Sequence, residues 1–147
     1  MTAQGAPEGT AYEWYRRAME LLERGDADAS LVLLDRVLAE DPRSASAREA
    51  RARALFDSRR FEEAAAAFEG LAEASPADDF AHYGLGLSLW RLQRFRVAED
   101  HLAMASVMRP DREDYRAALD QVRATLRARR KAGLPPDGPL DASAAAP

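Results

Sequence analysis

Apolar positions recur along the chain with the spacing of amphipathic helices, and the whole pattern then repeats. A proline ends each unit, at Pro42, Pro76 and Pro110, so that the unit length is 34 residues. The predicted helix pairs are 11–24 with 28–40, 45–57 with 62–74, and 79–92 with 96–108. Because one pair cannot bury its apolar face alone, we expect stacked pairs to form the core.

Four packing positions keep the same period. Small side chains recur at Ala18, Ala52 and Gly86 and at Ser30, Ala64 and Ala98, and large ones recur at Leu21, Leu55 and Leu89 and at Leu34, Phe68 and Leu102. A repeated small residue predicts a close crossing of two helices, and we expect Gly86 at such a crossing. The GLG sequence that ends at Gly86 does not predict a phosphate loop, because Leu89 stands where a dinucleotide motif needs glycine.

The three units resemble the tetratricopeptide repeat, a helix pair about 34 residues long with a pattern running from tryptophan to a final proline. The matching residues are Trp14, Ala18, Leu21, Gly25, Asp26 and Pro42, then Ala52, Leu55, Ala64, Phe68 and Pro76, then Leu85, Gly86, Leu89, Ala98, Leu102 and Pro110. The resemblance covers residues 11–110. It implies an all-α, right-handed superhelical solenoid of three antiparallel helix pairs, with repeats at 11–44, 45–78 and 79–112.

Several positions depart from the repeat pattern. Arg48 and His82 replace the tryptophan, Arg17 and Arg51 replace the leucine, and the turns inside the second and third pairs lack glycine. These departures concern the detail of the turns rather than the architecture. Because His82 occupies the position of Trp14, we expect it to be packed or half-buried.

A further helix is predicted after the third repeat, at about 113–131. Its apolar stripe consists of Tyr115, Leu119, Val122 and Leu126, which is typical of a helix that covers the open end of a repeat array. The predicted repeat domain therefore covers 11–131. Residues 1–10 and the Pro/Gly/Ala-rich segment 132–147 lack periodicity, and we expect both to be disordered.

Candidate chemistry is sparse. The chain has no cysteine, and its two histidines lie in no metal-binding spacing. Because motifs for a serine nucleophile or a phosphate loop are also missing, we expect no enzyme activity, no catalytic residue, no metal and no cofactor. No apolar run reaches the roughly 18 residues of a membrane span, and the start lacks a signal-peptide pattern, so we expect a cytoplasmic protein that does not bind membranes.

In tetratricopeptide arrays the first helix of each pair lines a concave groove that binds segments of partner proteins. Carried onto this chain by the helical period, the resemblance implies thirteen residues, which we call the first-helix face. They are Tyr12, Tyr15, Arg16, Met19, Glu49, Arg53, Phe56, Phe80, Tyr83, Gly84, Leu87, Trp90 and Arg91. Aromatic and arginine side chains often dominate binding energy, and Tyr15, Tyr83 and Trp90 are the expected anchors. The alternative is that these rings fill seams between helices.

The partner expected for this face is another protein, through an apolar or aromatic segment. Related co-chaperones grip acidic tails with a clamp of lysines, asparagines and an arginine, but Tyr15, Met19, Ala50, Phe80 and Gly84 occupy those places here. Gly84 would leave space for a ligand backbone or ring.

Two other functions remain open. The basic end of the last helix, consisting of Arg123, Arg127, Arg129, Arg130 and Lys131, could contact nucleic acid or an acidic surface. A net charge of −4 and the lack of interleaved aromatic residues argue against nucleic acid. The third function is a self-associating scaffold, and we expect a monomer or weak homodimer.

Overall fold

The computed structural model of the protein describes residues 9–139, which contain seven α-helices and no strand. The helices are α1 (Ala11–Glu23), α2 (Ala27–Glu40), α3 (Ala45–Asp57), α4 (Phe61–Ala74), α5 (Asp79–Arg91), α6 (Phe95–Met108) and α7 (Glu113–Lys131). The predicted ends agree with these bounds to within one residue. The all-α prediction is therefore confirmed for the described part of the chain.

The helices form two compact units, and the boundary between Ala67 and Phe68 falls inside α4. In the first unit α2 packs against both α1 and α3. In the second unit α6 packs against both α5 and α7. Each unit is described by itself below.

The first helix of each repeat begins at a residue whose side-chain oxygen can accept a backbone hydrogen bond. Thr10, Ser44 and Asp78 accept from the amide three residues later, at distances of 3.3, 3.2 and 3.0 Å. Such caps satisfy amides that have no partner within the helix. Arg112 holds the corresponding place before α7 and makes no such bond, so the repeat period continues there without its usual cap.

The turn inside each helix pair has the same geometry although only the first contains glycine. Gly25, Arg59 and Gln93 all have positive φ, at 83°, 62° and 61°. In every turn the following amide donates to a carbonyl five residues earlier, at 2.8 or 2.9 Å. The lack of glycine therefore leaves the backbone unchanged, and Arg59 and Gln93 adopt a conformation that side chains disfavour.

The small packing positions are buried, and Gly86 lies at a close helix crossing, as expected. Ala18 and Ala52 are completely buried in the first unit, and Ala98 is completely buried in the second. A Cβ added at Gly86 of α5 would lie 2.6 Å from Cγ of Leu102 on α6. This distance is too short for ordinary packing, so α5 and α6 approach each other closely because residue 86 has no side chain.

Three of the four residues in the predicted stripe on α7 are buried, and Leu126 is half-buried. Tyr115 and Val122 are completely buried, and Leu119 is 7% exposed. Arg129 continues the same stripe and is only 2% exposed. An arginine is seldom buried to this degree without partners, and Arg129 has several.

Residues 132–139, which we expected to be disordered, lie against α6 and α7. The guanidinium of Arg129 donates to the carbonyls of Pro135, Asp137 and Pro139 at 2.7, 2.9 and 3.0 Å. It also lies over the ring of Phe95, 5.4 Å from the centroid. These contacts give an aperiodic segment fixed partners that its composition does not reveal. Residues 140–147 and 1–8 of the predicted disordered segments lie outside the described residues.

The same segment completes the start of α6. Arg94, which precedes α6, provides no side-chain cap. Instead Oδ1 of Asp137 accepts a hydrogen bond of 3.0 Å from the amide of Arg96, and the amide of Gly138 donates to the carbonyl of Gln93 at 2.9 Å. The positive end of the helix dipole also stabilises a carboxylate at this position. We call residues 132–139 the docked tail.

Candidate functional site

In the first unit, the first-helix face contains one strongly exposed aromatic side chain. Tyr12 of α1 is 69% exposed, whereas Tyr15 and Met19 are half-buried. Arg16 lies exposed beside them. An exposed ring next to two partly covered apolar side chains is a surface that another protein can cover with little change in the unit itself.

The α3 part of the same face is more polar. Glu49 and Arg53 are exposed, and Nε of Arg53 lies 3.9 Å from Oδ2 of Asp57. Phe56 is half-buried because its ring packs edge-on against Phe61 of α4, with the centroids 5.2 Å apart. Since α1 contacts α3, the structure brings these residues onto neighbouring helices of one unit.

In the second unit, the aromatic residues of α5 each pack on another ring. Phe80 packs edge-on against Phe68 at 5.9 Å. Trp90 packs edge-on against Phe95 at 5.8 Å. With these two contacts, Phe80 and Trp90 are half-buried. Leu87, which lies between them on α5, is half-buried as well. These rings therefore fill seams with one side and remain accessible on the other.

Tyr83 is more strongly committed to packing. Its ring stacks on Tyr115 of α7 with the centroids 4.4 Å apart and an angle of 26° between the planes. Burial raises the pKa of the Tyr83 phenol, and nearby Asp114 acts in the same direction. As an anchor, Tyr83 would act through the part of its ring that this stack leaves uncovered.

Gly84 does not leave the space that we expected for a ligand. It is buried, and a Cβ added there would overlap the ring of Phe68. The space beside Gly84 is thus filled by the side chain of Phe68, which belongs to the same unit. Arg91, at the end of the α5 face, is exposed.

The two histidines form a partly buried pair that their sequence separation did not indicate. Their Nδ1 atoms are 3.1 Å apart, and Nε2 of His82 lies 3.0 Å from the carbonyl oxygen of Pro76. Because a carbonyl only accepts, Nε2 of His82 donates, and Nδ1 of His82 then accepts from His101 when His82 is neutral. Burial, and then the proximity of His82, lowers the pKa of His101. As predicted, His82 is packed, with 6% exposure.

The basic end of α7 is divided by the fold. Arg129 is buried, and Nε of Arg123 lies 3.5 Å from Oε2 of Glu99 on α6. Arg127, Arg130 and Lys131 remain exposed. Arg129 is therefore withdrawn from the cluster, and the other four residues remain at the surface.

Other kinds of site receive no support within residues 9–139. No group of three or more side chains in that range is arranged to hold a metal ion. No helix there is long and apolar enough to span a membrane.

A model of the tetratricopeptide repeat matches residues 15–79 and again residues 50–112. The chain belongs to the tetratricopeptide repeat family. The comparison with curated proteins gives no match. The helix pairs, the close crossing at Gly86 and the repeated turns are consistent with this family. Membership in the family supports protein–protein interaction as the general role of this chain.

Solved structures with a similar fold include the TPR domain of Sgt2 from Aspergillus fumigatus, which is 17% identical, with 97% of this chain and 95% of that chain covered and a TM-score of 0.77. The first TPR of Spaghetti (RPAP3), bound to the HSP90 peptide SRMEEVD, is 15% identical, with 84% and 98% covered and a TM-score of 0.74. A double mutant of MamA RS-1 is 22% identical, with 78% of this chain but 65% of the MamA chain covered and a TM-score of 0.74. At these identities the similarity establishes the fold alone.

Proposed function

We propose that this chain is a binding module rather than an enzyme and that it binds an apolar or aromatic segment of another protein through the first-helix face. The observation that carries the proposal is the exposure of Tyr12, 69% of which is accessible on the first helix of a tetratricopeptide unit. Tyrosine is enriched among interface residues that dominate affinity, because it buries a large area at a small cost in side-chain entropy.

The chemistry of the face favours an apolar segment over an acidic tail. The solved Spaghetti domain binds an HSP90 peptide that ends in Glu, Val and Asp. Here Tyr15 and Met19 stand at two places of the carboxylate clamp, and Ala50, at a third, is 5% exposed. Tyr15 and Met19 supply contact area, and none of the three side chains carries a positive charge for a terminal carboxylate. The proposal therefore differs from that neighbour in the kind of segment bound.

The test is selection of binding peptides from a random displayed library, followed by affinity measurements with variants. We expect enrichment of apolar and aromatic residues, and a loss of about 1 to 4 kcal/mol of binding free energy in Tyr12→Ala. The melting temperature should change little because Tyr12 is mostly exposed. Val107→Ala on α6 is the matched control, since Val107 is 81% exposed but lies on a second helix.

Two results would contradict the proposal. The first is enrichment of acidic peptides whose binding needs a free carboxyl terminus. The second is binding that survives Tyr12→Ala and Tyr15→Ala but is lost in Val107→Ala. Tyr83→Ala is a poorer probe, because the stack on Tyr115 makes a change in stability inseparable from a change in binding.

A further inference from the structure

A cleft of about 530 Å³ lies among α6, α7 and the docked tail, apart from the first-helix face. Its volume falls in the range of about 300–1,000 Å³ that is usual for ligand sites. Four of its lining residues are arginines, Arg96 from α6 and Arg123, Arg127 and Arg130 from α7, and one is the acidic Glu99. The cleft is therefore strongly cationic although the chain as a whole has a net charge of −4.

Within residues 9–139, most of this positive charge has no ion-pair partner. Arg123 lies 3.5 Å from the carboxylate of Glu99. Among residues 9–139, the structure shows no ion pair for Arg96, Arg127 or Arg130, which are exposed. Several cations around one concavity concentrate the electric field there and attract anions.

The remaining described lining is aliphatic and contains no aromatic ring. Leu126 comes from α7, as do three of the arginines, and Leu134 and Pro136 of the docked tail supply a further wall. Nucleotide bases bind most readily where aromatic side chains stack on them, and none of the described residues that line this cleft is aromatic. A segment with both carboxylates and aliphatic side chains matches the cationic rim and the aliphatic wall together.

The wall is held in place before any ligand arrives. The guanidinium of Arg129 binds the carbonyls of Pro135 and Asp137, the two residues on either side of Pro136. The carboxylate of Asp137 is in turn fixed by the amide of Arg96, which also lines the cleft. A site that is already ordered binds without the cost of ordering its own loop.

From this geometry we propose that the cleft binds an acidic segment of a partner protein in which aliphatic residues alternate with aspartate or glutamate. The carboxylates pair with Arg96, Arg127 and Arg130, and an aliphatic side chain packs against Leu126 and Leu134. This site involves no residue of the first-helix face. It would let one chain hold two protein segments of opposite character, an apolar one and an acidic one.

The test measures binding of a fluorescent peptide of alternating glutamate and leucine by anisotropy, with a peptide in which glutamine replaces every glutamate as the comparison. We expect saturable binding of the acidic peptide that weakens as salt rises above about 0.15 M, because salt screens exposed charges. Arg127→Ala and Arg130→Ala should each weaken binding by about three- to tenfold, the effect of losing one hydrogen bond of ordinary strength at an exposed site. The glutamine peptide should bind at least about tenfold more weakly.

The matched control is Lys131→Ala, which removes the same charge from the same helix end at a residue outside the cleft lining. It should leave the affinity within about twofold. Circular dichroism of every variant checks folding, and because Arg127 and Arg130 are exposed, no loss of helix is expected.

Three outcomes would overturn the proposal. Equal weakening by Lys131→Ala would show attraction by general charge, and equal binding of the glutamine peptide would show an apolar site. Tighter binding of an oligothymidylate of about ten nucleotides, sensitive to Arg127→Ala, would make the cleft a nucleic-acid site. Tyr12→Ala should not alter peptide binding here, so failure at the first-helix face and failure at the cleft can be told apart.

Discussion

The hydroxyl of Tyr115 donates a hydrogen bond of 2.7 Å to Oδ2 of Asp79, and this bond joins α7 to the first turn of α5. Tyr115 is completely buried, and its ring stacks on Tyr83. Burial, followed by the bond to Asp79, raises the pKa of Tyr115 well above its usual range. The last helix is therefore held to the third repeat by a directed polar contact as well as by its apolar stripe.

Tyr115→Phe should lower the free energy of unfolding by about 1 to 3 kcal/mol, because a bond to a charged acceptor is lost while the ring is kept. Urea unfolding followed by circular dichroism measures the change. Tyr83→Phe is the control, since the Tyr83 hydroxyl has no hydrogen-bond partner among residues 9–139. It should change stability by less than about 0.5 kcal/mol. Equal effects of the two substitutions would contradict the role of the Asp79 contact.

Gly84→Ala should destabilise the second unit although alanine is the better helix former. The new methyl group overlaps the ring of Phe68, and overpacking of this kind costs about 1 to 3 kcal/mol against a gain of about 1 kcal/mol in helix propensity. Phe68→Leu should relieve the overlap. A double-mutant cycle should therefore give a coupling of at least about 0.5 kcal/mol, and strict additivity would show that the ring moves away freely.

Arg59→Gly should stabilise the protein by about 0.5 to 1 kcal/mol, because Arg59 has a φ of 62° that glycine adopts without steric cost. Thermal unfolding measures the shift. Gln93→Gly repeats the experiment in the second unit, where φ is 61°. Gly25→Ala should act in the opposite direction by about 1 kcal/mol. A neutral Gly25→Ala would mean that the positive φ of these turns carries little strain.

Stability should fall as the pH is lowered from neutral towards 5.5, in part because of His101. Its pKa is lower in the folded protein than the ordinary value of about 6.5, so the unfolded chain binds more protons as pH falls through that value. The contribution of His101 to stability is fully present at pH values above its pKa in the unfolded chain. It is lost as the pH falls towards the pKa of His101 in the folded protein. Nearby Asp100 and Glu69 oppose the shift but do not reverse it.

The measurement is the melting temperature of the native chain and of His101→Gln between pH 7.5 and about 5.5. Glutamine cannot gain a proton in this window, so the variant should show a shallower decline. Parallel curves for the two proteins would exclude His101 as the source of the dependence.

The repeat period was enough to predict the helices, and the small residue at Gly86 was enough to predict a close crossing. Contacts between side chains of different repeats could not be predicted in the same way. The period shows which positions are equivalent but not which side chains meet. Gly84 was therefore placed on an open face, whereas Phe68 fills the space beside it. The stack of Tyr83 on Tyr115 depends on the pose of α7, which lies outside the repeats.

The docked tail shows where composition misled the prediction. A stretch rich in proline and glycine has no periodic signal, and disorder was the natural expectation. A signal did exist in α7, because Arg129 falls three residues after Leu126 and continues the apolar stripe. An arginine on a buried stripe needs acceptors, and the backbone carbonyls that follow the helix were the nearest ones in the sequence.

The three carbonyls around Arg129 hold its charge much as carbonyl oxygens hold a bound cation, and no carboxylate in residues 9–139 pairs with the guanidinium. Here the cation is the guanidinium of Arg129, and the cage around it consists of the carbonyls of the docked tail. Cutting after Lys131 would remove all three acceptors from the guanidinium and uncover its place over the ring of Phe95. The smallest piece that folds like the whole should consequently reach Pro139, and a fusion partner joined directly to the last helix would displace the cage.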